Sequence, residues 1–204
     1  MAIIQSGAGT DTLTVDSISK AARATLYRSD GSELYEPAVG GYILPIQIIQ
    51  SAATASGNTV FAMRADPAAT RIVEVTKIRG AVSFAGTAAA GTSIGYAFRR
   101  FSGATPTGGS AGTIIKKVNS YPASQVTDNR FVDTGLTMTG ATLESPFSYA
   151  YVPVSVTSTV RFADFHMDPN EELILQAGEG FAITLATNAI IGMAFTGWIE
   201  WHEV

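Results

Sequence analysis

Asp164, His166 and Asp168 are the residues of this chain whose types and spacing come nearest to chemistry. At i, i+2 and i+4 of an extended strand they would project from one face. Two carboxylates and an imidazole could there bind a divalent cation, or a carboxylate could orient a histidine base. The same spacing also describes a solvated strand face carrying Phe162, Asp164, His166 and Asp168, with Ala163, Phe165 and Met167 turned inward. A site needs convergent geometry that spacing does not supply, so the solvated strand is the expected reading. His202, next to Glu203 and two residues after Glu200, reads likewise as the exposed face of a terminal strand. Gly178-Glu179-Gly180 lacks the lysine and following helix of a phosphate loop and reads as a turn. Glu171 and Glu172 are adjacent and would diverge on a strand, so they cannot flank one bond together. No nucleophile elbow, zinc-protease or kinase signature occurs. The expectation is a protein that is not an enzyme, with no cofactor and no metal.

The composition points the same way. Of 204 residues, 46% are hydrophobic and only 15% charged, against roughly 25% charged in an ordinary soluble domain. With a mean hydropathy of +0.21, part of the surface is expected to be buried against other chains. The net charge of −4 and pI near 5.1 remove the clustered basic field that nucleic-acid binding requires. Arg99-Arg100 and Lys116-Lys117 are adjacent pairs, and neighbours on a strand point to opposite faces. No cysteine is present, which excludes disulfides, thiolate nucleophiles and Cys-based zinc sites. No apolar run reaches the ~18 residues of a membrane span. The start MAIIQSGAGTDT lacks the basic opening and apolar core of a signal peptide. Synthesis in a cytoplasm, with no membrane partner, is therefore expected.

The elements read as strands throughout. In the closing stretch, Leu173 and Leu175 alternate with their neighbours, then Phe181, Ile183 and Leu185, then Phe195, Gly197, Ile199 and Trp201. Period two is the strand period, and the glycine-rich breaks suggest hairpins, so a terminal β-meander is expected. Trp198 and Trp201 differ in parity. Trp201 is in phase with Phe195 and Ile199 and should be core; Trp198 should then face a partner. Upstream, Ile94, Tyr96 and Phe98 alternate, as do Phe147, Tyr149 and Tyr151. Val73 and Val75 share one parity while Ile78, Val82 and Phe84 share the other, which requires a bulge, with Gly80 a candidate position. Residues 102–112 (SGATPTGGSAG) and 119–129 read as loops.

Residues 1–50 differ in character. Leu13 and Val15 make a weak strand. Residues 21–28 and 33–36 flank Ser29-Asp30-Gly31-Ser32, whose Asp-Gly supplies the positive φ angles of a tight hairpin. Pro37, Gly40-Gly41 and Pro45 then break the pattern. A lone hairpin is marginal in water, so this arm is expected to gain order by docking. Its apolar residues Ile3, Ile4, Leu13, Val15, Leu26 and Tyr27, together with Trp198, are the interface candidates. The expected fold is all-β, an antiparallel, jelly-roll-like β-sandwich over residues 51–204, preceded by an extended N-terminal arm with a β-hairpin over 1–50.

Two stretches carry a resemblance. The opening TDTLTVDSISKAARATLYRSDGSEL is similar to the first segments of fibre and head-decoration proteins of tailed bacteriophages. The closing DPNEELILQAGEGFAI and GWIEWHEV resemble the last strands of β-sandwich domains in phage virion components. The resemblance implies a virion structural protein, usually trimeric and assembled in the host cytoplasm. It supplies no functional residues. The reading that follows is a capsid cement or decoration protein whose arm lies on the major capsid protein and whose sandwich projects. The alternative is a tail-fibre module binding host-surface glycan through exposed aromatics such as Tyr96, Tyr149 or Trp198.

Overall fold

Strands form wherever the sequence alternates, and among the described residues there is no helix. The structure, a computed structural model, describes residues 14–15, 22–23, 40–84, 93–132, 135–153, 161–166 and 173–204. The chain divides into two units, Met1–Pro37 and Ala38–Val204. In the first, β1 (Thr14–Val15) pairs antiparallel with β2 (Ala22–Arg23), Thr14 opposite Arg23. The Asp30-Gly31 turn lies outside the described residues.

The second unit carries β3 (Gly40–Ile49), β4 (Thr59–Ala65), β5 (Val73–Phe84), β6 (Ser93–Ser102), β7 (Ser110–Ala111), β8 (Ile115–Lys116), β9 (Val126–Phe131), β10 (Thr142–Leu143), β11 (Ser148–Pro153), β12 (Arg161–His166), β13 (Leu173–Leu175), β14 (Gly180–Leu185) and β15 (Met193–Glu203). They build two antiparallel sheets. One runs β12-β5-β15-β3-β8, with β13 also on β5; the other runs β10-β6-β14-β4-β9-β7, with β11 also on β6. The pairing is nested. β3 pairs with β15, β4 with β14, β5 with β12 and β6 with β11. This is one long antiparallel ribbon folded over itself, the strand order of a jelly roll. The expected sandwich is thus observed.

Several local expectations change. The division between units falls at Pro37, not at residue 50, because β3 pairs along its whole length with β15 of the sandwich. Pro45 does not break it. Gly41 O accepts from Lys117 N on the β8 side, so the backbone groups of the odd-numbered residues point that way. β8 pairs only with Tyr42 and Ile43, and a proline whose missing N–H falls on an open edge costs no ladder bond. The terminal stretch is not a meander. β13, β14 and β15 lie in alternate sheets, and the breaks between them cross the sandwich. Glu179 N donates to Gln176 O at 2.9 Å, and Gly178 at φ 80° supplies the left-handed third position of that turn. The bulge in β5 is at Thr76: Glu200 faces Lys77 while Trp201 faces Val75. Gly80 stays in register opposite Gly197, under the ring of Phe195. Val126 to Asn129, expected in a loop, belong to β9.

The core fills the space between the sheets. Tyr42, Leu44, Ile46 and Ile48 of β3 meet Val75, Ile78, Val82, Phe195, Ile199 and Trp201 on one wall; Phe61, Met63, Tyr96, Phe98, Phe181 and Ile183 line the other. Phe98 and Phe181 lie parallel at 6.0 Å, and Phe195 meets Phe98 edge-on at the same separation. Each such ring, taken from water, contributes about 1.5–3 kcal/mol before the cost of ordering it. A smaller cluster, Ala62, Phe101, Leu136 and Ala182, sits apart from it.

Candidate functional site

β12 places Asp164 opposite Ala81 and His166 opposite Arg79, on a strand whose only described hydrogen-bonded neighbour is β5. Asp168 lies outside the described residues. Among the described residues, no group of three or more His, Asp or Glu comes together to hold a metal.

The functional candidates are instead surfaces. On the outer face of the six-strand sheet, Trp198 is 40% exposed, whereas Trp201, in the opposite phase, is fully buried. Trp198 Nε1 donates to Glu200 Oε1 at 3.2 Å. Lys117 Nζ donates to Glu200 Oε2 at 2.7 Å, and Lys77 Nζ stands 3.4 Å from the same oxygen. Partial burial pushes the Glu200 carboxyl up, but the bond and charge of Lys117, aided by Lys77 and the indole, outweigh it and hold the group below the ordinary value. The indole N–H is thus engaged on its own strand, and Pro45 is the cross-strand neighbour of Trp198.

Glu203, named in the sequence reading only as a neighbour of His202, proves to be a structural residue. It shares the inward parity of Trp201 and is completely buried. Its carboxylate accepts from Ser124 Oγ at 2.6 Å, from Gln125 N at 2.8 Å and from Trp201 Nε1 at 3.3 Å, and Arg71 Nη1 lies at 2.8 Å. The arrangement ties the segment before β9 to the ends of β5 and β15. It is a structural clasp: three hydrogen bonds converge on Oε1, and Arg71 stands beside Oε2 as an ion pair. The signal was legible in part: Glu203 is two residues from a core tryptophan on the same strand.

The outer face of the seven-strand sheet carries a second surface. Tyr149 and Tyr151 of β11 are 48% and 43% exposed, with rings 5.5 Å apart and 15° from parallel. Tyr151 stands opposite Gly95 and its ring covers that glycine; a Cβ there would collide with it. Phe147, also exposed, packs against Phe181. Tyr96, expected among the ligand aromatics, is removed from that set: it is fully buried against Phe195. Burial pushes its phenol up, opposed by Gln50.

A third feature is a groove of about 280 Å³ lined by Gln47, Ile48, Ile49, Gly109, Ser110, Phe131 and Val132. It opens between the free edge of β3 and the edge formed by β7 on β9. Sequence reasoning passed over this edge. Its signal is the absence of any Asp, Glu, Lys or Arg from Gly40 to Met63. Of the interface candidates, only Trp198 lies where its side chain is described; Ile3, Ile4, Leu13, Leu26 and Tyr27 are outside the described residues, as is the side chain of Val15.

No family model, no curated protein and no solved structure matches this chain.

Proposed function

We propose that the chain is a non-enzymatic structural protein of a phage virion, a capsid cement that docks through its N-terminal unit and projects its sandwich. One observation carries the reading: the chain parts at Pro37 into a small unit whose described pairing is a two-residue hairpin ladder, and a sandwich with a complete core of its own. The larger unit encloses a hydrophobic core made entirely from its own strands. Such a division suits a protein whose first unit serves as a docking segment and whose second projects. The low charge and exposed apolar residues such as Ile49, Ile115 and Trp198 suit a particle built from many contacts.

The test uses particles. Gel densitometry of purified virions should find the protein in copy number comparable to the major shell protein. Deleting residues 1–37 should abolish attachment to shells while leaving a cooperative unfolding transition. Absence from the particle would overturn the proposal.

The parallel, exposed rings of Tyr149 and Tyr151 favour a second reading, a host-glycan-binding module of a tail fibre. Aromatic faces offer large rigid contact area at small entropic cost. That reading requires few copies per virion and glycan binding that Tyr149→Ala and Tyr151→Ala abolish.

A further inference from the structure

Beyond Ile43, β3 has a hydrogen-bonded neighbour on one side only among the described residues. Gln50 N donates to Met193 O, and Gly192 N to Gln50 O, so the even-numbered backbone groups of this strand face β15. The odd-numbered groups face the other way, where β8 covers only the stretch at Tyr42 and Ile43. Pro45, Gln47 and Ile49 therefore direct their backbone groups off the sheet, and among the described residues no strand receives them. Natural edges of this kind are guarded by lysine, by bulges or by covering loops. Here no charge stands anywhere between Gly40 and Met63, and Ile49 is 53% exposed.

We infer that this edge is an isologous interface, in which β3 of a second copy adds antiparallel across a two-fold axis at Gln47. Three features of the register select a second copy as the occupant. First, the axis sets Gln47 against its own counterpart and Ile49 against Pro45 of the other copy. The Gln47 pair exchanges two backbone bonds, and each flanking pair adds one, from the Ile49 N–H to the Pro45 carbonyl. The bonds lost are only those for which Pro45 has no donor. Second, the outer-face rows match. Ala194 lies opposite Ile49 and Trp198 opposite Pro45, so the joined sheet reads Ala194, Ile49, then Pro45 and Trp198 of the second copy. The mirrored row lies on the other side of a polar centre of Thr196 and Gln47. Exposed Ile49 and Trp198 thus fall into continuous apolar rows. Third, the lengths fit. β8 takes the edge at Ile43, and β3 ends at Ile49, where the β8 of the second copy would otherwise obstruct it. The interface does not depend on the virion role.

The chain has no cysteine, so single-cysteine variants of the full-length protein read the register directly. Hydrogen-bonded antiparallel pairs bring Cα atoms to about 5.5 Å, inside the reach of a disulfide. Under oxidising conditions Gln47→Cys should convert to covalent dimer, while Ile49→Cys, whose thiols are two register steps apart, should not. In sedimentation equilibrium the unmodified protein should show twice the mass of the chain. Gln47→Pro, which removes only an edge-facing N–H, should halve that mass while keeping one cooperative melting transition, at the lower temperature expected once the stabilisation by association is lost. A monomer at all concentrations, cross-linking at position 49 without 47, a higher oligomer lacking the Gln47 link, or a folded Gln47→Pro dimer would each overturn the inference. Should Gln47→Pro fail to fold, the two cysteine variants still decide it.

Discussion

Replacing Glu203 by alanine removes a carboxylate on which four groups converge in a space closed to water. Of these, Gln125 N and Ser124 Oγ belong to the segment before β9, Trp201 Nε1 to the core, and Arg71 to the approach of β5. Breaking a buried ion pair by removing one partner costs about 3–5 kcal/mol. Arg71 keeps some access to water, its side chain being 16% exposed, which places the cost at the lower end. The stranded Gln125 N–H and Ser124 hydroxyl, at about 1–3 kcal/mol for each group left unpaired in the interior, are part of that same cost and are not added to it. The expected loss for Glu203→Ala is therefore about 3 kcal/mol. Glu203→Gln retains an acceptor oxygen for Gln125 while giving up the charge, and should lose about half as much. Urea unfolding followed by circular dichroism at neutral pH measures both, with the slope checked for constancy. A cycle with Arg71→Met should give a coupling of about 0.5–3 kcal/mol. If Glu203→Ala unfolds within about 0.5 kcal/mol of the parent, the level of a neutral surface change, the clasp holds nothing and the reasoning fails.

Two further outcomes follow from the terminal strand. Trp201→Ala should cost about 3–5 kcal/mol through the cavity left beside Tyr42, whereas Trp198→Ala, on the outer face, should stay within about 0.5 kcal/mol; equal losses in urea unfolding would contradict the assigned faces. Glu200 has a carboxyl held below its ordinary value, so its folded state releases the proton more readily than the unfolded chain. Its contribution to stability is then complete above the ordinary carboxylate range and is lost as pH falls through the lowered value. Lys117→Met should flatten that part of the acid limb in a pH series of thermal melts, and an unchanged limb would show that the lysine does not stabilise the carboxylate.

The sequence by itself determined most of the strands and, along them, the alternation of buried and exposed side chains. Alternation marked Phe195, Ile199 and Trp201 as core and Trp198 as surface, because a strand turns every second residue to the same side whatever it pairs with. It also required a bulge in β5, since the parity of Val75 and Ile78 cannot be reconciled in a regular strand. Only the tertiary structure decided the partners. A glycine-rich break looks the same whether the chain returns beside itself or crosses to the other sheet, so the apparent meander at the end of the chain proved to be three strands in alternate sheets. The bulge fell at Thr76 rather than Gly80 because Gly80 is needed opposite Gly197, under the ring of Phe195. Tyr96 was misplaced among the exposed aromatics although it is in phase with Ile94 and Phe98, and all three are buried. Glu203 shares the parity of Trp201, but the Ser124-Gln125 segment and Arg71 that engage it arrive from far along the chain. The free edge of β3 is the converse case: its residues are ordinary in the sequence, and it is an edge only because β8 stops at Ile43.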